Sequence, residues 1–292
     1  MKKGLLIVFA TIAFTKLFAQ LTEGNIVYEQ LINTHRKNYM LNEQLKNYMP
    51  EFTTKKFELN FKEQISSYKP LVELEKNDGM QPQKEGVRIT MTSFNIGGPK
   101  GETIESYKDQ STATAIDVIE FSSNTYIVKD SIKKQSWVLQ DETKNIMGYE
   151  CKKAIYTYTE PLVEPINISF GFNANEAKQL DTAKIAETPK TPKTKEVKVV
   201  AWYAPDIASP AGPDEYGGLP GLILMVDIDN GVTIYTATEL KKSANKKALK
   251  QPTKGKEITK EELEALRKKM LDNMKQQNGS GKSGVNIIKV GF

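Results

Sequence analysis

Few residues of this chain could carry covalent or acid–base chemistry, so each can be followed. Asp214 and Glu215 are adjacent carboxylates at the head of the stretch DEYGGLPGLILMVDIDNG, residues 214 to 231. Two carboxylates can act as general acid and base when their surroundings push their pKa values apart. Adjacent side chains usually diverge, however, and a solvated turn is the competing reading. Cys151 is the single cysteine. It excludes a disulfide within the chain and a thiolate zinc cluster. It leaves three roles: a buried small hydrophobe, a partner for another chain, or a nucleophile. Lys152 and Lys153 would lower its pKa were it exposed. His35 is the single histidine and is read as a surface residue. A Ser-His-Asp or Cys-His site could use no other, and a multi-histidine metal site is excluded.

Two stretches imitate binding motifs. GSGKS (Gly279 to Ser283) matches the end of a phosphate-binding loop, but that loop also needs a glycine at position 276, which is Gln276 here, and a strand before it. A polar linker is the better reading. VDIDNG places Asp227 and Asp229 two apart, yet a calcium loop needs a further oxygen ligand where Gly231 stands and a glycine where Val232 stands. Alternation puts both aspartates on the outer face of a strand, and Asn230-Gly231 then predicts a tight two-residue hairpin turn. Leu219-Pro220-Gly221-Leu222 predicts a type II turn, with Pro220 fixing φ and Gly221 supplying a positive one. The glycine-rich stretch therefore reads as a shaped strand entry. No catalytic residue, metal or cofactor is expected.

The elements that would position these residues are mostly strands. KKFELNFKEQI alternates, with Phe57, Leu59 and Phe61 on one side and Lys56, Glu58, Asn60 and Lys62 on the other, which is a half-buried strand with one wet face. GNIVYEQLIN, TAIDVIEFSSNTYIVKD, QSWVLQ, CKKAIYTYTE, EVKVVAWYA and VTIYTATEL read likewise, about nine to eleven strands in all. Residues 34–50 carry apolar side chains at helical spacing, residues 76–110 read as a long excursion with weak strands, and residues 171–195 as a mobile insertion. ITKEELEALRKKMLDNM opens with a capping box, Thr259 and Glu262, and lines up Leu263, Leu266, Met270 and Met274 as an amphipathic helix.

The first residues, MKKGLLIVFATIAFTKLFAQ, have a basic start, a short apolar run and Ala19 at a cleavage position. That is the layout of a secretory signal peptide. Without the three lysines of residues 1–19 the chain has 38 basic against 36 acidic residues, a net charge of +2 rather than +5. A near-neutral balance gives no reason to expect nucleic acid as a partner. No later segment is long and apolar enough to span a bilayer. The expected organisation is a signal peptide over 1–19, an antiparallel β domain over 20–250 with its insertion at 171–195, and a C-terminal helix and flexible tail over 251–292.

YGGLPGLIL (Tyr216 to Leu224) resembles the signature of the GLPGLI family of exported Bacteroidota proteins. The resemblance extends through SWVLQDETKNIMGYECKKA (Ser136 to Ala154), AWYAPDI (Ala201 to Ile207) and GPDEYGGLPGLIL (Gly212 to Leu224), with GNIVYE matching the first strand. In this sequence the signature falls on Trp202, Tyr203, Gly212, Pro213 and Tyr216. It continues through Gly218, Leu219, Pro220, Gly221, Leu222 and Ile223. The family has no established activity. The resemblance implies an exported protein, periplasmic, associated with the outer membrane or secreted, and linked to TonB-dependent receptor systems. A weaker similarity to lipoprotein carriers implies a single curved antiparallel sheet, a half-barrel with one or two peripheral helices. The expected function is non-enzymatic binding of a lipid or other apolar ligand, or of an outer-membrane receptor. The alternatives are an envelope enzyme using Asp214, Glu215 or Cys151, and a structural adaptor.

Overall fold

The computed structural model describes residues 20–37, 46, 49–71, 101–161 and 194–279. The signal-peptide segment 1–19, most of the helical stretch 34–50, residues 72–100 of the long excursion, the insertion up to residue 193 and the tail from residue 280 lie outside the described residues. In chain order the strands are β1 (Glu23–Asn33), β2 (Phe52–Lys62), β3 (Ile65–Pro70), β4 (Glu102–Asp109), β5 (Thr114–Phe121) and β6 (Asn124–Ser131). They continue with β7 (Val138–Ile146), β8 (Tyr149–Pro161), β9 (Thr194–Ala204), β10 (Leu222–Ile228), β11 (Thr233–Lys241) and β12 (Lys256–Ile258). Helix α1 covers Thr34–Lys37 and α2 covers Lys260–Gly279. Residues 102–109, expected as part of a long excursion with weak strands, form the regular strand β4.

All 12 strands join one open, curved sheet in the order β12-β6-β5-β4-β3-β2-β1-β11-β10-β9-β8-β7. Neighbours are antiparallel with one exception that corrects the expectation: β12 pairs parallel to β6, Glu257 opposite Ile127. A parallel partner cannot be reached by a hairpin and needs a long crossover. Residues 242–255 supply it, crossing the sheet where the Asn245 N–H donates to Asn60 Oδ1 at 2.9 Å. Register shifts at Val27/Tyr28, Ile223/Met225, Thr103/Glu105 and Leu139/Thr143 insert the extra residues that bend and twist a sheet.

The alternation of β2 is realised in part, since Asn60 of the expected wet face is buried as well. Leu59 and Phe61 are buried, and Lys62 is exposed. Register carries Tyr28, Gln30, Phe57, Leu59, Tyr68, Lys108, Tyr235, Val226, Ala201, Tyr156 and Tyr158 to the same face. Two covers close that face. Over β8–β11 it is the connection between β9 and β10, residues 205–221, whose Ile207, Ala211, Tyr216 and Leu219 join the main core. Over β5 and β6 it is α2, whose Leu263, Leu266 and Met270 pack with Ile119, Phe121 and Val128.

Candidate functional site

The 205–221 connection has no regular secondary structure, so its buried backbone groups must find partners one by one. They do so internally and against both flanking strands. Gly218 N donates to Pro210 O at 2.8 Å, Ile223 N to Ala211 O at 3.1 Å, Leu222 N to Ile207 O at 3.2 Å and Ala208 N to Leu21 O at 2.8 Å. The expected type II turn is absent. Gly221 N bonds Leu219 O at 2.8 Å, a three-residue turn centred on Pro220. The amide of Leu222 is taken by Ile207 instead. Gly221 sits at φ +153°, and a Cβ there would lie 2.3 Å from Ala204 O. Only glycine allows the chain to turn into β10 so close to the end of β9.

Side chains from the sheet fasten this cover. The buried Tyr28 hydroxyl donates to Ile223 O at 2.5 Å, and Trp137 Nε1 donates to Gly217 O at 2.9 Å. Gln135 Nε2 donates to Glu215 O at 3.0 Å and Lys108 Nζ to Asp214 O at 2.5 Å. Gln30 Nε2 donates to the Tyr235 hydroxyl at 2.6 Å, which donates onward to Asp214 Oδ2 at 2.7 Å. Asp214 adopts φ +54° to make that contact. Burial pushes the Tyr235 phenol far up, with the Asp214 charge adding to it, so Tyr235 is a fixed donor. Burial pulls Lys108 down, against the opposing pull of Asp214, Asp117 and Glu215.

The sequence-predicted residues divide into core and rim. Tyr203, Gly212, Pro213, Tyr216, Leu219, Leu222 and Ile223 are buried; Asp214, Glu215, Gly218 and Pro220 are exposed. Trp202 is half-buried between two ammonium groups, Lys144 and Lys153, at 5.6 and 5.9 Å from its ring centre. Cys151 is fully buried and free, and burial pushes its thiol up to about 11. Its electrostatic neighbours are Lys144 and Asp206, whereas those of the acidic pair are Tyr235, Tyr216 and Lys108. His35 Nε2 donates to Met49 O at 3.0 Å. The Asn230-Gly231 turn is longer than expected: Asp229, Asn230 and Gly231 all have positive φ, and Ile228 pairs with Thr233 across a four-residue loop. Arg36 draws it out by donating to Asp229 O and Asn230 O at 3.1 and 2.8 Å. Among the described residues no three His, Cys, Asp or Glu side chains gather as a metal site would need.

Where the connection reaches the surface it forms one wall of a cleft of about 370 Å³. Lys108, Lys133 and Lys134 bring three ammonium groups to it, and Gln64, Gln110 and Gln135 three amides. Glu215, Gly217 and Gly218 supply the wall itself. Lys133 and Lys134 are exposed, and neither forms an ion pair or hydrogen bond among the described residues. Beside the cleft runs an aromatic row. Trp137 meets Tyr156 edge-on at 5.7 Å, and Tyr156 stacks on Tyr158 at 5.7 Å. Trp137 is anchored to the wall at Gly217, and burial, with the Glu160 and Glu215 charges adding to it, raises the Tyr158 phenol. These residues come from separated segments, so spacing could not reveal the cleft. Of the residues the sequence singled out, Glu215 and Gly218 line the cleft; its lysines and glutamines carried no signal.

No curated protein matches this chain. Solved structures of PNGF-II in two crystal forms, C2 and P21, are similar at TM-scores of 0.47 and 0.45, each with 14% identity. The matches cover 85% and 86% of this chain but 33% and 34% of theirs, so the chain spans about a third of the length of those proteins. The model of a family described as "Protein of unknown function (Porph_ging)" matches residues 137–225, a span that opens at Trp137 and closes just past the strand entry at Leu222.

Proposed function

We propose that this chain is a non-enzymatic binding protein of the cell envelope, of the GLPGLI type, whose binding surface is the lysine cleft beside the 205–221 connection. The observation that carries this reading is the division of labour within the connection. Its apolar side chains are spent on closing the sheet, and what it leaves at the surface walls a cleft in which Lys133 and Lys134 form no ion pair among the described residues. The face where an apolar ligand was expected is filled by Tyr216, Leu219 and Ile207, which favours an outer-membrane partner or polar ligand over a lipid. The buried Cys151 thiol and the Tyr235-bound Asp214 carboxylate act as structural groups. The signal-like N-terminus and the signature residues support export and association with the outer membrane.

The test is affinity purification from envelope membranes of the full chain and of the Lys133→Glu/Lys134→Glu variant, with mass spectrometry of co-purifying proteins, lipids and glycans. The charge-reversed variant is expected to lose its partner while keeping the wild-type melting temperature. An identical set of partners from both proteins would sink the reading.

A further inference from the structure

The aromatic row meets the cleft wall at Gly217, where Trp137 Nε1 donates to the carbonyl oxygen, and the chemistry of the two is complementary to a single class of ligand. We infer that the site binds an acidic polysaccharide, a chain of pyranose rings carrying carboxylate groups; this rests on the cleft being the binding surface. A pyranose ring has an apolar C–H face and a hydroxyl edge. Stacked, half-buried aromatic rings offer a flat apolar surface for the first. Tyr156 and Tyr158, two residues apart on β8, stack on one another and are half-buried, which leaves part of each ring for that contact. Glutamine amides, each with an acceptor oxygen and a two-proton donor, suit adjacent hydroxyls, and Gln64, Gln110 and Gln135 converge on the cleft. Gln110 is held close to the wall, its Nε2 lying 3.7 Å from where a Gly217 Cβ would stand.

The charge points to an acidic rather than a neutral sugar. Lys133 and Lys134 form no ion pair among the described residues, so they outnumber the one carboxylate of the cleft, Glu215, whose charge acts on Lys108. Lysine acts on an anion as a mobile point charge, which suits carboxylates spaced along a flexible polymer. Trp137 joins the two halves, with its ring edge on Tyr156 and its Nε1 on the cleft wall. A short anion would use only the lysines; a chain of rings would use both halves.

The experiment titrates the full chain with polygalacturonate, dextran, polyglutamate and inorganic phosphate, followed by calorimetry and by tryptophan fluorescence in a Trp202→Phe background, where Trp137 is the reporter. Polygalacturonate is expected to bind and to perturb Trp137. Lys133→Glu/Lys134→Glu should weaken it by about tenfold or more, with the effect fading at high salt. Tyr158→Ala should weaken it by about fivefold. Dextran, polyglutamate and phosphate should not displace it. The inference is overturned if polygalacturonate fails to bind, if polyglutamate competes equally, or if Tyr158→Ala changes nothing. Should it fail while charge reversal still strips envelope partners, the binding-protein reading stands and only the ligand class is lost.

Discussion

The same sheet face is closed in two different ways, and the difference separates what is specific in this fold from what is generic. Over β5 and β6 the cover is α2. Its backbone hydrogen bonds are its own, and its first turn is closed by the capping box: Thr259 N donates to Glu262 Oε2 at 2.8 Å, and Glu262 N to Thr259 Oγ1 at 3.1 Å. It contributes an apolar stripe, and any helix with that stripe would serve. Over β8–β11 the cover is the irregular 205–221 connection. It satisfies its backbone through Leu21, Trp137, Gln135 and Lys108, drawn from distant parts of the chain, while Tyr28 holds Ile223 O just beyond it. Such a cover tolerates little change, but it can shape a surface, and it is the cover that walls the cleft.

The contrast can be broken at Gly221. Gly221→Ala places a Cβ against Ala204 O and is expected to cost about 4 kcal/mol or more. Chemical denaturation should show loss of the cooperative transition or a midpoint far below wild type. An unchanged midpoint would mean the connection is not locked. At the other cover, Leu263→Ala empties a site that is 3% exposed and should cost about 3 kcal/mol. Trp137 fluorescence in the Trp202→Phe background should stay as it was, because no described residue of α2 lines the cleft. If that signal moves with Leu263→Ala, the two covers are coupled and the comparison fails.

Smaller effects sharpen it. Tyr28→Phe leaves Ile223 O without its side-chain donor and is expected to cost about 1–2 kcal/mol, read from the urea midpoint, with a shift in Trp137 emission. Thr259→Ala removes half of the capping box and should cost about 1 kcal/mol with no such shift. The smallest effect is that of pH on Cys151. Its folded thiol is raised by burial to about 11, above the ordinary thiol value, so the stability it contributes is present at neutral pH and falls as the pH climbs through that range. Alkylation of the folded protein should therefore be slow at pH 8 and fast only after unfolding. Rapid alkylation of the native protein at pH 8 would show an accessible, reactive thiol and favour the enzyme alternative.

Much of the fold is legible in local pattern. The alternation at Phe57, Leu59 and Phe61, the stripe at Leu263, Leu266 and Met270 and the Thr259–Glu262 capping box all appear as read, because each depends on residues a few positions apart. Where the reading fails, a distant partner intervenes. The turn at Leu219–Leu222 gives way because Ile207 O takes the amide of Leu222. The Asn230-Gly231 turn lengthens because Arg36 holds two of its carbonyls. Asn60, on the polar side of β2, is buried because Asn245 crosses over it.

The sequence by itself determined a β-rich chain with a capped amphipathic helix and, with one histidine and one cysteine, no multi-histidine or thiolate-cluster metal site. Those properties follow from composition and short-range period. Only the tertiary structure decided that the glycine-rich stretch fills the sheet face, that Asp214 is held by Tyr235, and that three lysines, three glutamines and an aromatic row share one surface. These arrangements join residues up to about two hundred positions apart, as Tyr28 and Ile223 are, and sheet register sets such distances, which no local spacing encodes.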